Sequence, residues 1–116
     1  MIVGIGVDVV DVDRFRASIE KTPRLVEKLF HEEERAMPVE SLAARFAAKE
    51  ALAKAMGSPG KMLWHDAIIR RSTGTQPVIE VHGTVAAMAA EKGVRHFHLS
   101  LSHDGGIATA FVIAEG

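Results

Sequence analysis

The chain has 116 residues, no cysteine, and 14 basic against 15 acidic side chains, which gives a formal net charge of −1. This length fits one domain with a core of its own, and the balanced charge gives no general attraction to nucleic acid or to a membrane surface. The absence of cysteine excludes disulfides and thiolate chemistry, and it leads us to expect a cytoplasmic protein.

The first half of the chain is predicted to contain one strand and then helices. Residues 2–12 form a β-branched run that is typical of a buried strand. Helices are predicted at 14–28 with a break at Thr22-Pro23, at 30–36, and from a cap at Ser41 to a stop at Gly57.

The second half is predicted to be richer in strands. Strands are predicted at 67–71 and 78–81 around a turn at 72–77, a helix at 84–92, and a hairpin that joins 96–102 to 107–114. Together these patterns predict a single α+β domain over residues 1–116, with a mainly antiparallel sheet and a long central helix.

Asp8 is a charged residue in the middle of the apolar run of the first strand. Alternation places Gly4, Gly6 and Asp8 on one face, and Ile5 with the neighbouring valines on the other. Two glycines beside an aspartate indicate that something approaches the backbone closely, either a ligand or a packed helix. Asp13 is predicted to cap the helix that follows.

Glu50 lies in the long predicted helix among small and apolar residues. A helical wheel places it beside Phe46 and Ala53, with Lys54 as its charged neighbour. An exposed Glu–Lys pair would explain this pattern, whereas a half-buried carboxylate would need a cation or hydrogen bonds. If Asp8 met Glu50, the two would need a cation between them, and oxygen ligands without cysteine favour Mg²⁺.

Other side chains are candidates for anion contacts. Arg45 and Lys49 are neighbours on the long helix, where they would either bind phosphates or form a solvated flank. His103 lies in a glycine-rich turn whose free N–H groups can meet an anion. His96 and His98 alternate with apolar residues, which predicts a polar outer strand face, since a zinc site would lack a suitably spaced third ligand.

In combination, these motifs resemble the holo-acyl-carrier-protein synthase family of phosphopantetheinyl transferases. The resemblance covers nearly the whole chain, in the family's order. The matching segments are Gly4-Ile5-Gly6-Val7-Asp8-Val9-Val10, Arg14-Phe15, Arg45-Phe46-Ala47-Ala48-Lys49-Glu50-Ala51 with Lys54-Ala55 and Gly57, then Trp64 and Asp66, and last Ser100-Leu101-Ser102-His103.

The resemblance implies an activity, a fold and an assembly. Such enzymes transfer the phosphopantetheine arm of coenzyme A to a serine of apo acyl carrier protein, and adenosine 3′,5′-bisphosphate leaves. The reaction supports fatty-acid biosynthesis. Members of this length have the 4′-phosphopantetheinyl transferase fold and form homotrimers with active sites between subunits.

The resemblance also implies residue roles. Asp8 and Glu50 would bind Mg²⁺ together with the coenzyme A diphosphate, and with Lys54 they would be the catalytic residues. Coenzyme A would be bound by Arg45, Lys49, Lys54, Ser102 and His103, and the carrier protein would dock on Arg14. Either Glu50 or a water held by the metal would take the serine proton; a carboxylate that ligates a cation is a poor base, which favours the water.

Three segments depart from the family pattern. The usual Gly-Thr-Gly is Gly57-Ser58-Pro59-Gly60, the threonine of Phe-Thr-x-x-Glu is lost in Phe30-His31-x-x-Glu34, and the Gly-x-Pro turn is lengthened to Gly74-Thr75-Gln76-Pro77. Two other functions fit some of the same residues. They are a two-carboxylate Mg²⁺ phosphohydrolase or nuclease, and a non-catalytic nucleotide-binding or trimer-forming module.

Overall fold

The computed structural model describes residues 1–71 and 76–116. In these residues the elements are β1 (Ile2–Asp11), α1 (Val12–Lys21), α2 (Arg24–Leu29), α3 (Val39–Ala55), β2 (Ala67–Arg70), β3 (Val78–Val81), α4 (Gly83–Lys92), β4 (His96–Asp104) and β5 (Ile107–Glu115). A 3₁₀ turn, Trp64–Asp66, precedes β2. Within the same residues, no helix combines the length and apolar character needed to cross a bilayer.

The strands form two antiparallel sheets, one of three strands in the order β1-β5-β4 and one of two strands, β2-β3. In the larger sheet β5 is central, and its Ala110 lies opposite Asp8 on one side and Leu101 on the other. The α+β prediction, the long central helix and the hairpin are confirmed. The predicted turn at 72–77 has residues 72–75 outside the described part of the chain.

Helix α3 packs across the inner face of the three-stranded sheet. The contact is made of small residues on both sides, because Ala47 and Ala51 of α3 and Ala108 and Ala114 of β5 are all fully buried. Small side chains allow the helix and the sheet to approach closely, so the core forms between these two layers. The alanine-rich centre of the sequence is therefore a core helix.

Three local predictions were wrong. Asp11, not Asp13, caps α1, and its Oδ1 accepts a hydrogen bond from the Arg14 N–H at 3.0 Å. Helix α3 begins at Val39 after Pro38, so Ser41 lies within it. Residues 31–37 form turns instead of a helix, because the Glu34 carboxylate bends back to the His31 N–H and is buried.

The prediction of a buried first strand holds for one face only. Gly6 and Val10 are buried against the core, whereas Ile5 and Val9 on the opposite face remain 55% and 61% exposed. The predicted alternation of β4 is confirmed, since His96, His98, Ser100 and Ser102 are all exposed. The three-stranded sheet therefore has an outer face with no protein covering it in the described chain.

Candidate active site between strand β1 and helix α3

The glycines of β1 allow α3 to lie directly on the strand. A Cβ atom added at Gly4 would lie 1.8 Å from the Ala55 carbonyl oxygen, and one added at Gly6 would lie 1.9 Å from that of Ala51. Of the two explanations for these glycines, a ligand or a packed helix, the structure shows the packed helix. This close approach brings the side chains of β1 next to those of α3.

Asp8, Glu50 and Lys54 form the cluster that we call the active-site cluster. The Lys54 ammonium donates to Asp8 Oδ1 at 2.9 Å and to the Val7 carbonyl at 3.2 Å. The Asp8 side chain is 16% exposed, that of Lys54 is 48% exposed, and Glu50 is half-buried. The structure thus brings together the three residues that were predicted to be catalytic.

The electrostatics of this cluster are unbalanced, with two carboxylates and one ammonium. Burial raises the pKa of Glu50, and the negative charge of Asp8 raises it further, while Lys54 opposes the rise. The hydrogen bond and charge of Asp8 raise the pKa of Lys54. Glu50 therefore lies close enough to Asp8 for the two carboxylates to repel each other.

A pocket of about 290 Å³ opens beside Glu50. Its walls come from α3 and from the segment that follows, and the residues beyond the helix include Ser58, Gly60, Met62, Leu63 and Trp64. The chain turns into this wall through left-handed backbone at Gly57 (φ 80°) and Ser58 (φ 52°). The pocket gives a flexible ligand room next to the active-site cluster.

The donor set fits Mg²⁺. Asp8 and Glu50 supply hard oxygen ligands, and Mg²⁺ in proteins is usually held by one or two carboxylates together with waters and substrate phosphates. A cation at this position would offset the repulsion that raises the pKa of Glu50. No group of three or more acidic or histidine side chains with metal-binding geometry occurs within 1–71 and 76–116.

Lys49 and Arg45 were predicted either to bind phosphates or to form a solvated flank, but in the structure both are buried beside Glu34. Lys49 Nζ donates to Glu34 Oε1 at 2.6 Å and to the Leu29 carbonyl at 2.8 Å, and its side chain is only 1% exposed. Arg45 is buried too, with its Nε 3.9 Å from Glu34 Oε2. The two residues are not a solvated flank, and we call Glu34, Arg45 and Lys49 the buried cluster.

This geometry does not support a direct phosphate contact by Lys49. Glu34 and the Leu29 carbonyl use two of the three N–H donors of Lys49, and the ammonium lies 4.9 Å from the centre of the Phe30 ring, so a phosphate would have to reach a desolvated ammonium that is already surrounded. Burial lowers the pKa of Lys49, and Glu34 partly offsets this effect. Arg45 keeps a buried Nε with no hydrogen-bond partner in the described residues, so its side chain retains donor capacity.

The other predicted site residues lie away from Glu50 in a single chain. Ser102 is exposed on the outer sheet face opposite Thr109, and His103 lines a separate cavity of about 230 Å³ with Arg16 and Glu40. β4 is two strands from β1, which corresponds to about 10 Å. One chain therefore does not bring Ser102 or His103 to the active-site cluster.

Glu34 and Asp66 were named in the sequence as parts of family motifs, but their structural roles were missed. Glu34 was noted only because its motif, Phe-Thr-x-x-Glu, lacks the threonine here. That the glutamate of the motif is retained was a signal that it has a structural role. Asp66 Oδ2 accepts hydrogen bonds from the backbone N–H and hydroxyl of Thr84, at 2.8 and 2.7 Å. The same hydroxyl accepts from the Leu63 N–H at 2.8 Å, so this contact fixes one wall of the pocket.

Comparison with known proteins assigns this arrangement to a family. A model described as the 4′-phosphopantetheinyl transferase superfamily matches residues 4–112. The chain belongs to this superfamily. The holo-[acyl-carrier-protein] synthase of Micrococcus luteus is 59% identical over 117 residues, which cover 99% of this chain and 93% of that protein. The corresponding protein of Beutenbergia cavernae is 56% identical over 99% of each chain.

Solved structures agree with the sequence relatives. The crystal structure of holo-[acyl-carrier-protein] synthase from Neisseria meningitidis has a TM-score of 0.90 and 30% identity, with 100% of both chains covered. The Helicobacter pylori enzyme, in complex with coenzyme A, has a TM-score of 0.84 and 26% identity, with 96% of this chain and 99% of that one covered. The predicted family and fold are confirmed.

Proposed function

We propose that this protein is a Mg²⁺-dependent holo-[acyl-carrier-protein] synthase with Asp8, Glu50 and Lys54 as its catalytic residues. It transfers the 4′-phosphopantetheine arm of coenzyme A to a serine of apo acyl carrier protein and releases adenosine 3′,5′-bisphosphate, in support of fatty-acid biosynthesis. The observation that carries the proposal is the meeting of two carboxylates and a lysine beside a pocket. A cytoplasmic location, suggested by the absence of cysteine, is part of the proposal.

The reaction asks the protein mainly for positioning and for stabilisation of negative charge. The serine oxygen forms a bond to the phosphorus next to pantetheine, and the bond from that phosphorus to the adenosine bisphosphate oxygen breaks. In this proposal the partly exposed Lys54 ammonium stabilises the diphosphate oxygens as they gain charge, and its 2.9 Å contact with Asp8 supports the role. Mg²⁺ held by Asp8 and Glu50 would supply further stabilisation of the same oxygens.

The proton of the serine hydroxyl would be taken by a water that Glu50 orients or by Glu50 itself, and the water is favoured because a carboxylate that ligates a cation is a poor base. Burial and the charge of Asp8 raise the pKa of Glu50 in the metal-free protein, and a cation held by both carboxylates would offset this rise. Glu50 lines the pocket from helix α3. Glu50 thus combines a role in metal binding with a role in orienting the nucleophile.

Mass spectrometry of an apo carrier protein, incubated with coenzyme A and Mg²⁺, tests this proposal. We expect one phosphopantetheine arm to be added by the wild type, and no transfer by Asp8→Ala or Glu50→Gln under the same conditions. Circular dichroism would verify that both variants are folded. Release of the arm to water without transfer would favour a phosphohydrolase, and unchanged turnover of both variants would refute the catalytic assignment.

The outer face of the three-stranded sheet supports the proposed homotrimer. Val7 and Phe111 face each other across β1 and β5 and are 51% and 44% exposed, next to Ile5 and Val9. A contiguous apolar face of this kind is typical of a protein interface. Ser102 lies on this same face, so an adjoining subunit could bring it to a neighbouring active site.

Light scattering with size-exclusion chromatography tests this assembly. We expect a trimeric mass for the wild type, and a smaller species with little transfer activity for Phe111→Glu, because a charge would be buried in the interface. Met37→Glu is a matched control, since Met37 is also an exposed apolar residue (40%) but lies outside this sheet. A wild-type monomer with full activity would overturn the proposed trimer.

Arg14 is proposed to dock the acyl carrier protein. It is exposed on α1 and borders a cavity of about 350 Å³ with apolar walls that include Phe15, Leu25 and Phe46. A cation beside an apolar cavity suits a partner surface that combines acidic and apolar side chains. We expect Arg14→Glu to raise the KM for the carrier protein and to leave the KM for coenzyme A unchanged. An equal effect on both would refute this role.

A further inference from the structure

The Glu34 carboxylate is a buried junction between three segments of the chain. The residue is 2% exposed, and its Oε1 accepts from the His31 N–H at 3.0 Å and from Lys49 Nζ at 2.6 Å. Its Oε2 accepts from the Ile69 N–H in β2 at 3.0 Å. The connection between α2 and α3, helix α3 and strand β2 are therefore tied to one side chain.

The hydrogen bond from the Ile69 N–H to Glu34 attaches strand β2 to the buried cluster. Among residues 1–71 and 76–116, β2 pairs with β3 and with no second strand, and at Ile69 the N–H donates to the Glu34 carboxylate instead of to another strand. Ala67, two residues earlier, lines the pocket together with Lys49 and Glu50. Glu34 thus holds the β2 side of the pocket at a fixed distance from the α3 side.

The residues on both sides of Glu50 in the chain are fixed by different partners. On one side, the backbone of Ala51 packs so closely against Gly6 of β1 that a Cβ atom at Gly6 would not fit between them. On the other side Lys49 is held by Glu34 and by the Leu29 carbonyl. Since successive residues of a helix are rotated by about 100°, fixing both neighbours sets the direction in which the Glu50 carboxylate points.

We infer that Glu34 is a positioning residue for the active site, acting through Lys49 on Glu50 and through Ile69 on the pocket wall. The inference rests on the proposed role of Glu50 in binding Mg²⁺. A carboxylate that ligates a metal depends on its supporting contacts, and the loss of such support commonly reduces metal affinity or activity about ten- to a hundredfold. In this view Lys49 contributes to catalysis through geometry, and its ammonium does not bind phosphate.

Steady-state kinetics on two variants tests the inference. Glu34→Gln keeps a carbonyl acceptor but removes the charge that holds Lys49. The double variant Glu34→Gln with Lys49→Met removes the Glu34–Lys49 ion pair as a unit and leaves Arg45 as the remaining charge of the buried cluster. Circular dichroism would verify that this variant is folded. We expect both variants to lower kcat and to raise the Mg²⁺ concentration for half-maximal activity about ten- to a hundredfold, while the KM for the carrier protein stays unchanged.

The control is Arg70→Gln, which removes exposed ion pairs to Glu33 and Glu80 at the end of the same strand. We expect it to keep the wild-type kcat and Mg²⁺ dependence. If the folded double variant shows wild-type values for both, Glu34 has only a structural role and the inference is overturned. If the double variant raises only the KM for coenzyme A, Lys49 contacts the nucleotide and the inference is equally wrong.

The failure of this inference can be told apart from failure of the proposed function. Wild-type protein and Glu50→Gln, assayed in parallel, report on the proposed catalytic site without reference to Glu34. Activity that is independent of Mg²⁺ and of Glu50 would contradict the site itself. Normal behaviour of these two proteins together with a fully active double variant would contradict the positioning role alone.

Discussion

Helix α3 contributes side chains to two charged clusters that contain cations and carboxylates in opposite proportions. The buried cluster places two cations, Arg45 and Lys49, around the single carboxylate of Glu34, and the Lys49 side chain is 1% exposed. The active-site cluster places two carboxylates around Lys54, whose side chain is 48% exposed. The buried cluster has one more cation than carboxylates, and backbone groups also bond to Glu34 and Lys49. The active-site cluster has one more carboxylate than cations and therefore an excess of negative charge.

The difference shows how burial decides what a lysine–carboxylate pair does. A buried pair with additional hydrogen bonds holds its elements in one arrangement, and removing one partner leaves a desolvated charge. A partly exposed pair contributes little to stability but can exchange partners with a ligand. The excess negative charge at Asp8 and Glu50 disfavours the metal-free state, which is the property expected of a cation site.

The largest expected effect separates the two lysines. Lys49→Met should lower the free energy of unfolding by about 3 kcal/mol, because the buried carboxylate of Glu34 would lose its hydrogen-bonded cation and keep only Arg45, whose Nε is 3.9 Å away. Lys54→Met should change stability little, because the ammonium of Lys54 is partly exposed. It should abolish transfer, because Lys54 is a proposed catalytic residue. Urea unfolding monitored by circular dichroism, together with the transfer assay, measures both effects. Equal stability losses for the two variants would contradict the comparison.

A smaller effect is expected where α3 contacts β1. Gly6→Ala would place a methyl group against the Ala51 carbonyl, so either the helix or the strand must move. We expect a loss of about 1 to 3 kcal/mol in the free energy of unfolding, with a further loss of transfer activity because Asp8 would move away from Glu50. Thermal unfolding and the transfer assay test this, and a variant with wild-type stability would show that the helix is not held by this contact.

The smallest expected effect is a gain in stability. The pKa of Glu50 is raised above its ordinary value of 4.5 in the folded protein, so its contribution to stability is present below that pH and is lost as the pH rises through the folded pKa. Without Mg²⁺ at neutral pH, Glu50→Gln should therefore unfold about 1 to 3 °C higher than the wild type, an effect limited by solvent screening.

Added Mg²⁺ with coenzyme A should reverse this order. The ligands should raise the unfolding temperature of the wild type and leave that of Glu50→Gln nearly unchanged, because ligand binding stabilises the folded state only where the site is intact. Differential scanning fluorimetry at pH 5 and at pH 7.5 follows both effects. An equal Mg²⁺-dependent shift in the two proteins would place the cation elsewhere.

Sequence reasoning was most accurate where a local pattern has one physical meaning. The alternation of glycines and valines in β1 predicted which residues share a face of that strand, although one face is exposed, and the break at Thr22-Pro23 matches the end of α1 and the start of α2. It was least accurate for charged residues of α3. Periodicity places Lys49 beside Arg45 but carries no information on Glu34, which lies in a turn segment fifteen residues earlier.

The sequence by itself determined the family, the α+β class and the identity of the three residues in the active-site cluster, because each depends on motifs with a fixed local spacing. Only the tertiary structure decided which lysine is buried and which remains accessible. It also decided that Ser102 and His103 are distant from Glu50 in one chain, and that no described residue covers the outer face of the three-stranded sheet. These outcomes depend on which elements pack together. Packing determines how far each charged side chain is desolvated, and desolvation decides whether that side chain stays buried in an ion pair or remains able to bind a ligand.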